Sequence, residues 1–189
     1  MRAHVLFARD TIQEAVLDTW RRKFGFGEGE GGAVVGKLFK EMAELMQSSR
    51  ADYTMMWREL GSVAASAARD GVAAAAADTA AIESACYAPL SGDQKAKWTS
   101  FVTEWLTALG DDHAAASARM ARENPKFVPR EWILVEAYTA AQKGDMSVLE
   151  DLFELFQDPY GEGSERHANT YYRLAPTEAL RKGGTAFMT

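Results

Sequence analysis

Cysteine is nearly absent from this chain. Cys86 is the only one in 189 residues, so no intrachain disulfide can form, and the thiol count fits a reducing, intracellular setting. Histidine is almost as scarce. His4, His113 and His167 lie far apart, without the ligand spacing of a structural zinc site, and each reads as a solvent-facing or hydrogen-bonded residue. No run of about 20 apolar residues occurs, so no transmembrane helix is expected. Positive charge is in deficit too: the formal net charge is -6 and the pI about 5.2. That disfavours non-specific nucleic-acid binding, which requires a basic face, and it disfavours an anionic membrane surface. The start, Met1-Arg2-Ala3-His4, leads into an amphipathic stretch holding Asp10, Glu14 and Asp18. It therefore reads as neither a transit peptide nor a secretory signal.

What is present is helical periodicity. Val5, Ile12, Val16, Trp20 and Phe24 step along one face, with Ala8 in the gap, until Gly25 to Gly32 break the pattern. Val35, Leu38, Phe39, Met42, Leu45 and Met46 mark a second helix. Asp52 is a good N-cap for a third, which buries Met56, Trp57, Leu60 and Val63. The alanine-rich stretch 64–88 reads as helix interrupted near Asp70-Gly71. Pro89, Ser91 and Gly92 mark a turn, and a strong helix follows Asp93, carrying Trp98, Phe101, Val102, Trp105, Leu106 and Leu109 up to Gly110. Asp111 or Asp112 caps a short helix to about Glu123. The two prolines of the following segment, Pro125 and Pro129, hold it extended. Glu131 to Lys143 is helical, with Trp132, Val135, Tyr138 and Thr139 on one side and Gly144 as its stop. Asp145 caps a last helix whose apolar face is Leu149, Leu152, Phe153 and Phe156, closed by Asp158-Pro159-Tyr160-Gly161. No stretch alternates like a strand. The expectation is an all-α, irregular multi-helix array over residues 1–160, followed by an irregular tail over 161–189.

Several stretches imitate catalytic motifs. Gly31 and Gly36-Lys37 have the spacing of a phosphate-binding loop. Leu38 stands where the Ser or Thr hydroxyl is needed, and a helix rather than a strand precedes it. Gly25-Phe26-Gly27-Glu28-Gly29 lacks the flanking strands of a kinase glycine loop, and neither His-Arg-Asp nor Asp-Phe-Gly occurs. Carboxylates such as Glu41, Glu44, Glu150, Asp151 and Glu154 alternate with apolar stripes, as a solvated helix face does. Cys86 has no basic neighbour in sequence and reads as a buried thiol. No catalytic, cofactor-binding or metal residue is assigned.

Four stretches carry a resemblance to a known family. Leu45 to Thr54, with Asp52-Tyr53-Thr54 and then Trp57-Arg58-Glu59-Leu60, is similar to the SelO pattern of helix, short break and aromatic-led helix. Trp105-Leu106 with Arg119-Met120 is the second. The third is Asn124-Pro125-Lys126-Phe127-Val128-Pro129-Arg130, which resembles the family's Asn-Pro-Lys-aromatic-aliphatic-x-Arg signature. The fourth is Ala140-Ala141-Gln142-Lys143-Gly144-Asp145 leading to Asp158-Pro159-Tyr160. Order and spacing agree over residues 1 to about 175. The family departs at Pro129, where it usually has Leu, and at Glu131, where it usually has Asn. It often ends near a Cys or selenocysteine, whereas this chain ends Thr185-Ala186-Phe187-Met188-Thr189.

The resemblance implies the helical C-terminal region of a selenoprotein O-like protein adenylyltransferase. That family has a kinase-like (pseudokinase) fold which binds ATP inverted and transfers AMP to protein hydroxyls with Mg or Mn. The lysine, the metal-binding Asn and Asp, and the arginines of that site lie earlier in the family's chain and map onto nothing here. ATP and metal are thus implied for a full-length protein and not for this chain. The implied partner is the kinase-like N-terminal part. The alternative is a free-standing helical interaction module, covered by a protein partner or a second copy. The implied compartment is mitochondrial in a eukaryote and cytoplasmic in a bacterium.

Overall fold

The structure, a computed structural model, describes residues 2–181, with side chains described from residue 11 onward. Among the described residues there are eleven helices and no strand; Ala51 and Cys86 form one isolated antiparallel bridge. The all-α irregular array is therefore the observed fold.

The first half is a layered helical core. It comprises α1 (Arg2–Lys23), α2 (Val34–Ser49), α3 (Tyr53–Asp70), α4 (Val72–Ala77), α5 (Ala80–Ser84), α6 (Gly92–Leu109) and α7 (His113–Glu123). Three- and four-residue spacing puts Val35, Leu38, Met42, Leu45 and Met46 of α2 on one buried face. Met56, Trp57 and Leu60 of α3 meet Trp98, Phe101, Trp105 and Leu106 of α6 in the same cluster. Each fully buried Leu or Met there contributes about 1.5–3 kcal/mol relative to an exposed one. Phe24 and Phe26 enter from the α1–α2 connection, and the Phe24 ring lies edge-on to Trp57 at 4.8 Å. Two tryptophans are buried without losing their N–H bonds. Trp98 Nε1 donates to Ser49 Oγ at 2.9 Å, and Trp105 Nε1 donates to the Phe24 carbonyl at 3.0 Å. Gly25, at φ +83, has no room for a side chain: a Cβ would sit 2.9 Å from the Ala116 carbonyl, so α1 approaches α7 closely only with glycine there.

Capping sets the boundaries. Asp52 accepts the Met55 N–H at 2.9 Å and starts α3. Asp112 starts α7. The α6 start falls at Ser91, not after Asp93, because Ser91 and Gln94 exchange hydrogen bonds as a capping box. α8 (Glu131–Ala141) and α9 (Ser147–Leu155) form a hairpin around Trp132, Ile133, Ala137, Leu152 and Leu155.

The stretch from 161 onward departs from the loop expected of it. It holds α10 (Glu165–Tyr171) and α11 (Thr177–Arg181), and Tyr171 and Ala175 complete the α8–α9 cluster. Helices this short show little periodicity and owe their stability to tertiary contacts. Residues 182–189, including the expected end of the tail, lie outside the described residues.

Three apolar faces also differ from expectation. On α1, Ile12 and Val16 are exposed. Val5 and Ala8 fall among the residues whose side chains are not described. Trp132 is buried, but Val135 and Tyr138 of α8 are bare. Leu152 is buried, but Leu149 and Phe153 of α9 are bare. Helical period tells which residues share a face; it does not tell whether this chain supplies the cover.

Candidate functional site

The polar residues singled out in the sequence converge where the two apolar clusters meet. Asp52 is held at the start of α3 by its capping role, and its backbone N–H donates to the Ala85 carbonyl at 2.7 Å. Arg130, placed by the extended segment before α8, reaches it across 78 residues of chain. Arg130 Nη2 donates to Asp52 Oδ1 at 2.7 Å, and Nη1 pairs with Oδ2. Both side chains are almost fully buried, at 3% and 1% exposed. Such a bidentate pair holds the α3 start against the α8 start. The Tyr87 hydroxyl sits 3.5 Å from Asp52 Oδ2 and accepts the Ala175 N–H at 3.3 Å, adding the segment around Ala175 to the same joint. Burial, followed by the charge on Asp52, raises the Tyr87 pKa.

A second group lies beside it. Asn124 is buried; its Nδ2 donates to the Lys23 carbonyl at 2.9 Å, and its Oδ1 accepts from Lys23 Nζ at 2.7 Å. The buried Arg58 donates from Nη1 to the carbonyls of Ala121 and Asn124, at 2.9 and 3.1 Å, and pairs through Nη2 with Glu162. Lys126 Nζ donates to Glu162 Oε2 at 2.7 Å, which with Arg58 holds that carboxyl below its usual range. The backbone N–H groups of Lys126 and Phe127 both donate to the Pro159 carbonyl, at 2.9 and 3.1 Å. Tyr172 donates to Glu59 Oε1 at 2.6 Å. Burial raises the pKa of Glu59, and burial followed by the Glu59 charge pushes Tyr172 far up.

Asp52, Asn124, Lys126, Arg130 and Pro159 therefore come together, with Pro125 between two of them. Tyr53 and Tyr160 are exposed at the margins, and Gly144 and Asp145 lie away, in the α8–α9 turn. Arg58 and Glu59 belong to a stretch the sequence had marked. Tyr87, Glu162 and Tyr172 carry no local signal. They are recruited by the fold alone.

Arg58, Asn124, Lys126 and Arg130 all donate to partners inside the chain, so the chemistry of this seam is that of a joint. A cleft of about 140 Å³ lies beside Arg58, between Trp57, Ser62 and Ser117. A cleft of about 240 Å³ is lined by Arg21, Arg22, Arg119 and Arg122, together with Glu28 and Glu123. Arg21 and Arg22 are bound to Asp18 and Glu123, and Arg119 to the Gly25 carbonyl. These cations offset the negative ends of α1 and α7. Lys37 pairs with Glu104 and Gly36 lies inside α2, so the phosphate-loop imitation forms no cradle. Cys86 is buried, and burial pushes its thiol up to about 11. Among the described residues, no three His, Cys, Asp or Glu side chains gather to hold a metal ion.

The family model for the protein adenylyltransferase SelO matches residues 7–157. This chain belongs to the SelO family. A protein nucleotidyltransferase YdiU of Myxococcus xanthus is 34% identical over 163 residues, covering 85% of this chain and 30% of the relative. A YdiU of Stutzerimonas stutzeri is 30% identical, covering 80% of this chain and 29% of the relative. One of Burkholderia thailandensis is 31% identical over 92% of this chain and 31% of its own length. The chain thus spans under a third of these SelO relatives. The signature residues Asp52, Asn124, Lys126 and Arg130 fall within the SelO match and at the seam. Pro159 and Tyr160 lie just beyond it. No helix among the described residues is long and apolar enough to cross a membrane.

Proposed function

We propose that this chain is the C-terminal helical part of a SelO-type protein nucleotidyltransferase that moves AMP from ATP to protein hydroxyls. In this reading the reacting groups, the nucleotide and the divalent metal sit in a kinase-like part that packs against the helical array. The residues of this chain hold the array in shape and catalyse nothing themselves. The bacterial origin of the relatives supports a cytoplasmic setting.

One observation carries this reading. Ile12 (63% exposed), Val16 and Leu17 lie bare on α1, beside an apolar groove of about 300 Å³ completed by Ala15, Thr19 and Trp20. A row of this kind on a long helix marks a surface built to be covered. The coverage of under a third of the relatives supports a covering part of the same family.

The test is AMP transfer from labelled ATP, with Mg or Mn, by the native protein purified from its source, its intact mass measured alongside. Label transfer by a product much larger than 20.8 kDa, or by this chain in complex with a kinase-like polypeptide, is the expected result. Equal transfer by the purified 189-residue chain alone would overturn the assignment of catalysis elsewhere.

A further inference from the structure

We propose that the α8–α9 hairpin is a docking surface for a basic amphipathic helix of another protein. The proposal stands apart from the α1 face and from AMP transfer.

Met146, Leu149 and Phe153 follow one another at spacings of three and four residues, so they line one side of α9 and its entry turn. All three are exposed, and Phe153, at 71%, is the barest of the large apolar side chains described. They are not surplus core. The inner side of α9 is already filled by Leu152 and Leu155. On α8, packed against α9, Val135 and Tyr138 are exposed as well.

Charge selects the occupant. Between Glu131 and Asp158 the sequence holds seven carboxylates and one cation, Lys143, a formal charge of -6. The whole chain also carries -6, so everything outside this stretch is balanced. Asp145, Glu150 and Glu154 are exposed, and each adjoins a member of the apolar row: Asp145-Met146, Leu149-Glu150, Phe153-Glu154. Arg166, on α10, is bound to Asp151, and among the described residues no cation forms an ion pair with Asp145, Glu150 or Glu154. An apolar row beside a carboxylate row complements a helix with an apolar stripe flanked by Lys or Arg. Anionic membranes and nucleic acid are repelled by the same carboxylates. A second copy would set one -6 stretch against another. From Met146 to Phe153 the row runs about 10 Å, matching two turns of a partner helix.

The probe is a fluorescein-labelled synthetic peptide of Leu and Lys patterned as an amphipathic helix, titrated by anisotropy against the full chain. A scrambled peptide of the same composition and a Leu/Glu counterpart serve as comparisons. The patterned Leu/Lys peptide should bind, weaken with salt, and lose about tenfold in affinity with Phe153→Ser. The thermal melt of that variant should match the parent, because the side chain it removes is exposed. Glu150→Gln with Glu154→Gln should weaken binding and flatten its salt dependence, whereas Ile12→Ser should leave it unchanged. Equal binding of the scrambled or Leu/Glu peptide, or unchanged binding to Phe153→Ser, would overturn the proposal. So would sedimentation showing that Phe153→Ser dissolves a dimer of this chain, since the occupant would then be a second copy.

Discussion

At the scale of single residues, the decisive pair is Asp52 with Arg130. Two buried charges are costly to desolvate, and the pair is tolerated because Asp52 also accepts the Met55 N–H and lies within reach of Tyr87. Removing one member leaves the other buried and uncompensated. Arg130→Met should therefore lower stability by about 3–5 kcal/mol in urea denaturation. Asp52→Ala combined with Arg130→Met should lose less than the two single losses added, because the stranded charge is gone. Full additivity would mean that the two side chains do not work as a pair. Asp52 was legible in the sequence as a cap, and Arg130 as part of a signature. Their meeting was not, because 78 residues separate them and no local pattern reports a contact at that distance.

At the scale of elements, α9 and α10 are tied through one carboxylate. Asp151 accepts from Arg166, from Tyr171 at 2.7 Å and from His167 at 2.9 Å. The Arg166 bond, foremost, holds its pKa well below the ordinary 3.8. The unfolded chain therefore takes up this proton first as pH falls. The stability it contributes is present above 3.8 and lost on acidification through the depressed folded value. Glu59 acts in the opposite sense. Its pKa is raised above 4.5, so its contribution is present below that value and fades as pH rises through the raised one. Urea midpoints measured on both sides of 3.8 should show a shallower acid limb for Arg166→Gln than for the parent. An unchanged limb would place the acid sensitivity elsewhere. The α8–α9 turn makes a simpler case. Gly144 sits at φ +84, and a Cβ added there would meet nothing within 4 Å, so Gly144→Ala should cost about 1–2 kcal/mol from backbone strain alone. Gly144 was readable in advance, since a glycine ending a periodic run is a common helix stop. α10 and α11 were not readable, being too short for their period to register against the loop around them.

At the scale of the whole molecule, two apolar clusters meet across a polar seam, and each leaves an apolar row uncovered. Which residues form each row was visible in the sequence: Ile12, Val16 and Trp20 step by four, and Leu149 and Phe153 do the same. Whether a row is core depends on what lies opposite, which the period of one helix does not encode. Trp20 stacks on Phe39 at 3.7 Å, while among the described residues Ile12 and Val16 stay exposed. An uncovered row on α1 has a consequence for the chain in isolation. It should self-associate as concentration rises, because pairing two such faces removes apolar area from water. Ile12→Ser with Val16→Ser should abolish that association in sedimentation velocity and change stability by no more than about 0.5 kcal/mol, as exposed substitutions do. Loss of stability with unchanged association would mean that the α1 row packs inside this chain, and the argument for a covering kinase-like part would lose its support.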